Sequence, residues 1–88
     1  MASIKNLKKD INYVLGDIIE ECYIWELENP KKDTVNTEAI ISDVFVTFDS
    51  LLGRVSEKNV ENKKVHYKAI SKDLEVAAAE FIGKVNNL

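Results

Sequence analysis

At 88 residues the chain is sized for one domain near the small end of what folds alone, and its net charge of −3 gives no global case for nucleic acid. Apolar residues make up 45%, which argues against a disordered chain; only three Gly and one Pro favour long helices over a sheet with many turns.

The first predicted element runs from about residue 3 to 27, with Ser3 as its N-cap. Ile4, Ile11, Ile18 and Trp25 recur every seven residues, and Leu7, Val14, Leu15, Ile19 and Cys22 fill in beside them. Such a stripe follows one side of a helix about seven turns long. Asn29-Pro30 stops it, because the residue before a proline disfavours helical backbone. Residues 28–36 then read as a polar loop.

The second helix spans about 37–55, with Asn36 or Thr37 as the cap and Glu38 at the positive end of its dipole. Ile40, Ile41, Val44, Phe45, Phe48, Leu51, Leu52 and Val55 fall within an arc of about 140°, wide enough for two neighbours. Gly53 and the run Ser56-Glu57-Lys58-Asn59 mark a joint, with Ser56 or Asn59 capping a third helix over about 59–86. That helix presents Val60, Tyr67, Ile70, Leu74, Ala77, Ala78, Phe81, Ile82 and Val85 on one side. Three helices with short connections predict an all-α, up-down-up antiparallel three-helix bundle over 1–88. The rival is one bent helix over 37–86 that pairs with the first as a long hairpin, completed by a second chain as a dimeric four-helix bundle. The expected core is Ile11, Leu15, Ile18, Cys22, Val44, Phe48, Leu51, Ile70, Leu74 and Phe81, with Trp25 a core aromatic near one end.

Chemistry-bearing patterns are scarce. His66 is the one histidine, so a site built on two imidazoles cannot form within one chain, and position 63 is Lys where a di-metal bundle carries Glu. Gly16, Gly53 and Gly83 are isolated and make no phosphate loop. His66, among Lys63, Lys64 and Lys68, reads as a solvated surface side chain. Cys22, on the apolar face of the first helix, reads as a buried inert thiol that cannot form an internal disulfide. Asp17, Glu20 and Glu21 read as a solvated acidic face, since a straight helix does not gather the ligands of a calcium loop. No catalytic residue, metal or cofactor is expected. Residues 1–10 lack the apolar core of a secretory signal and no segment approaches the roughly 18 apolar residues of a membrane span. The expectation is a cytoplasmic protein with no membrane contact.

Two patterns stand apart from the core. On the first helix Tyr13, Gly16, Glu20, Tyr23 and Leu27 are spaced 3-4-3-4, with Ile24 beside them, on the side opposite the core stripe. On the third, Val65, Ala69, Lys72, Val76, Ala79 and Gly83 form a similar row of mostly small residues. Heptad-spaced rows away from the core are where a partner helix docks, either another protein or a second copy in a homodimer. The second pattern is charge polarity. Up-down-up topology gathers residues 1–13 and 48–72 at one end, where nine bases and four acids give +5; the other residues hold three bases and eleven acids, giving −8. Lys5, Lys8, Lys9, Lys63, Lys64 and Lys68 are the candidate binders of an anionic partner, with nucleic acid the least supported version. The expected role is a non-catalytic interaction or self-assembly module, the alternative an anion binder at the basic end.

Overall fold

The computed structural model describes residues 4–88 and contains three helices, α1 (Ile4–Glu28), α2 (Val35–Val55) and α3 (Lys63–Asn86). Ser3, expected as the first cap, lies outside the described residues. Each helix packs on both others, so the three-helix bundle is the observed architecture. Side-chain contacts give the directions. Thr37, early in α2, bonds Glu26, late in α1; Arg54, late in α2, pairs with Asp73 of α3, while Asp43 pairs with Lys84 near the end of α3. Ile4 and Lys8 share a cleft with Lys63 and Tyr67, and Ile18 and Glu21 share another with Ile82 and Val85, so α1 and α3 run parallel. The order is up-down-up.

The joints follow local chemistry. Pro30 has no N–H to continue α1, and Asn29 closes its end by donating from Nδ2 to the Trp25 carbonyl at 2.9 Å. α2 begins two residues earlier than expected: Thr34 occupies the cap position, and the Asp33 carboxylate accepts the Val35 N–H at 3.0 Å. Neither Asn36 nor Thr37 is the cap. α2 runs through Gly53 to Val55, so that glycine is not the break. The break falls at Asn59, whose φ of 62° lies in the left-handed region that Asn tolerates better than most residues. α3 therefore starts at Lys63 rather than 59. Asn62 is its cap, accepting from the Val65 N–H at 3.2 Å, and neither Ser56 nor Asn59 serves. With this loop between them α2 and α3 are separate helices, and the bent-helix rival is excluded.

Ile11, Leu15, Cys22, Val44 and Ile70 are fully buried, and Leu7, Ile18, Ile40, Leu51, Val55, Leu74, Ala78 and Phe81 complete the core. Five apolar expectations need correction. Phe48 and Trp25 are only partly buried, and Ile4, Phe45 and Ile82 are exposed. A three-helix rod has a narrow interior: it encloses the centre of each stripe and leaves the flanks and the rod ends wet. Trp25, near one end, lies with the Lys32 ammonium 5.9 Å from its ring centroid. Val60 falls in the loop, partly buried.

The rod measures 51 × 19 × 18 Å with a radius of gyration of 14.8 Å, against about 12 Å for a globular chain of this length. Its surface of 6261 Å² exceeds the roughly 5,200 Å² of a typical monomer of this mass. Phe81→Ala should cost about 3–5 kcal/mol in urea unfolding, a large part of the roughly 5–15 kcal/mol that holds such a domain. Phe48→Ala, at a partly exposed position, should cost clearly less; equal losses would refute the difference in burial.

Candidate functional site

Three regions carry the residues singled out from the sequence: the outer face of α1, the outer face of α3, and the end of the rod where the α2–α3 loop lies. On α1, Tyr13, Gly16, Glu20, Tyr23, Ile24 and Leu27 all lie outside the bundle. Their exposures decide the matter for the large side chains: Leu27 80%, Tyr13 66% and Tyr23 51%. At about 100° per residue these positions sit roughly opposite Ile11 and Cys22, so the packing that buries one stripe necessarily turns the other outward. Gly16 has open space where a side chain would start, and nothing within this chain requires a glycine there.

On α3, Val65, Ala69, Val76, Ala79 and Gly83 are likewise exposed. Only two of them, Val65 and Val76, are large apolar groups. This face therefore offers close approach but less apolar area than α1.

At the loop end the six candidate lysines are all exposed, but they do not form one patch. Lys8 and Lys63 line a cleft of about 390 Å³ together with Lys58, which is not one of the six candidates. Its apolar lining comes from Ile4, Val55, Val60 and Tyr67, and Glu57 stands at the same cleft. Lys68 lies elsewhere, on a shallow surface beside Val65, Lys72 and Glu75. Periodicity does not point to Lys58, because a loop residue has no helical register from which to place it. Arg54, counted with the basic end, is held by Asp73 at 2.6 Å.

His66 overturns its expectation. Only 14% of its side chain is exposed, and Nε2 lies 2.6 Å from the Arg54 carbonyl. A carbonyl only accepts, so Nε2 carries the proton and donates. The Arg54 carbonyl, in the last turn of α2, thus accepts twice, from the imidazole and from the Glu57 backbone N–H at 3.3 Å. Its ring also meets Tyr67 at a centroid distance of 5.5 Å. It is a structural clasp between α2 and α3. The sequence reading missed it because the α2–α3 loop brings residue 54 back against residue 66.

Thr37 is a second unforeseen polar group. It is fully buried, donates to the Glu26 carboxylate, and has the Thr34 carbonyl 2.9 Å away. Asp17, Glu20 and Glu21 are exposed as expected, and among the described residues no group of three or more His, Cys, Asp or Glu is placed to hold a metal ion. No helix among them is long and apolar enough to cross a membrane. No protein-family model, curated protein or solved structure matches this chain.

Cys22 is buried as expected. Burial pushes its thiol above the ordinary value, and the Glu26 and Glu21 carboxylates push the same way. The folded state therefore holds the thiol proton more tightly than the unfolded chain does. Stability from this group is complete below the unfolded thiol value and falls as pH rises beyond it. Urea unfolding in alkaline buffers should show that decline, and Cys22→Ala should flatten it. An unchanged slope in the variant would assign the decline to other groups.

Proposed function

We propose that this protein is a cytoplasmic, non-catalytic interaction or self-assembly module whose docking surface is the outer face of α1. One observation carries this reading: Tyr13, Tyr23, Ile24 and Leu27 follow helix-docking spacing and remain exposed after all three helices have packed. The excess surface of the rod adds support, since a small thin core gains from assembly. The outer face of α3, with its smaller side chains, is the secondary surface. Cross-linking in cells, followed by mass determination, tests the reading. The wild-type chain should be captured in species heavier than its own 10.0 kDa. Tyr23→Glu with Ile24→Lys should abolish them while leaving helicity unchanged, because both side chains point away from the core. Heavier species that survive the double substitution would overturn the reading.

A second reading is favoured by the cleft at the loop end, which Lys8, Lys58 and Lys63 line together with apolar side chains and Glu57. Among the described residues none of the three forms an ion pair. Such a site suits an anionic partner, nucleic acid included. Fluorescence anisotropy with a DNA oligonucleotide should then show binding at low ionic strength that weakens steeply with salt and is lost in Lys58→Glu with Lys63→Glu. Absent binding at low salt, or affinity flat with salt, would exclude the nucleic-acid version.

A further inference from the structure

The surface on α1 has a charge layout that selects one kind of occupant. Residues 4–13 hold Lys5, Lys8, Lys9 and Asp10, a net +2, whereas residues 14–28 hold Asp17, Glu20, Glu21, Glu26 and Glu28 with no base, a net −5. This order opposes the helix's own macrodipole. No acid stands in the first turn of α1 and no base in the last. A helix end favours the opposite arrangement, acids at its first turn and bases at its last. A neighbouring helix that runs the other way, carrying the same charges, supplies what is missing at both ends.

We propose that the outer face of α1 docks onto the same face of a second copy of this chain, antiparallel, about a two-fold axis. The proposal rests on the α1 docking reading and adds the partner and its orientation. The seam is Lys9, Tyr13, Gly16, Glu20, Tyr23 and Leu27, alternating by four and three. Antiparallel pairing sets Tyr13 against the partner's Tyr23, Gly16 against the partner's Glu20, and Lys9 against the partner's Leu27. All three pairs share one midpoint, so a single two-fold axis generates every contact twice. The overlap from Lys9 to Leu27 is about 27 Å of helix.

Each layer has a physical sense. The two tyrosines stack while their hydroxyls reach water at the rim. Gly16, which has no side chain and open space around it, leaves room for the Glu20 side chain opposite. The aliphatic stem of Lys9 covers Leu27, the most exposed large apolar group among the described residues, and its ammonium reaches the acidic end of the partner. A parallel pair would instead place Glu20 on Glu20 and the five acids of one helix beside those of the other. At the scale of the whole rod, antiparallel pairing also sets the lysine-rich end of each copy beside the acid-rich end of the other. The outer face of α3 has the same spacing, but its Ala and Gly positions bury too little area to compete.

Purified wild-type chain should scatter light as a species of twice 10.0 kDa, and Tyr23→Glu with Ile24→Lys should halve that mass. Orientation is read by two single-cysteine variants in a Cys22→Ala background, one with Lys9→Cys and one with Leu27→Cys, treated with a short bis-maleimide linker. Mixed together they should give a covalent dimer joining one variant to the other; neither alone should cross-link to itself. Self-linking of either variant would mean parallel pairing and would overturn the proposal while keeping α1 as the interface. A dimer that survives the double charge substitution would move the interface off α1 and overturn it. A wild-type monomer at every concentration would overturn the second copy as occupant; heavier species in cells that still depend on Tyr23 and Ile24 would then leave the docking reading standing with a different protein.

Discussion

The whole molecule hangs on one narrow column of side chains. Ile11, Leu15, Cys22, Val44 and Ile70 are fully buried, and every helix contributes to that column. Three cylinders about 10 Å across meet along a line and enclose little more than the centre of each apolar stripe. The flanks are left partly wet, as Phe45, Phe48 and Ile82 show. Length compensates for the thin interior: contacts repeat along the 51 Å of the rod.

Because the column is apolar and non-directional, other contacts fix the helices at the two ends. At one end Thr37, buried in the first turn of α2, donates to Glu26 of α1. At the other His66 donates to the last turn of α2, and Arg54 reaches Asp73 from the same residue whose carbonyl His66 holds. Buried polar groups of this sort are costly unless partnered, and among the described residues every buried side-chain nitrogen and oxygen has a partner. The ends are thus defined by hydrogen bonds, the middle by packing.

The same thinness explains the functional reading. A rod exposes more surface than a sphere of equal mass, and two of its three helices carry a second heptad-spaced row on the side that the column cannot reach. On α1 that row holds the larger side chains and a charge order opposed to the helix dipole. Both features are unfavourable in an isolated bundle and become complementary against an antiparallel copy. The lysines of the loop end are placed by a different device, a cleft between α1, the loop and α3, so the two surfaces are separable by substitution.

Helix number, order and the inward face of each helix were legible in the sequence, because burial needs apolar residues at a period near 3.6 and Asn29-Pro30 admits no helical continuation. The outward rows were legible for the same reason, since they are defined by the stripe they oppose. Loop geometry was not. The left-handed Asn59, the cap at Asn62 and the Lys58 contribution to the cleft depend on how the chain folds back after α2, and periodicity says nothing about a loop. Thr37 and His66 were read as a cap and a solvated side chain because their partners, Glu26 and Arg54, lie eleven and twelve residues away in the chain. The sequence by itself determined the centre of the stripe that each helix turns inward, though not how far its flanks are covered. Tertiary structure alone decided which polar groups meet each other, because those contacts depend on the register between helices, which the spacing within any one helix does not contain.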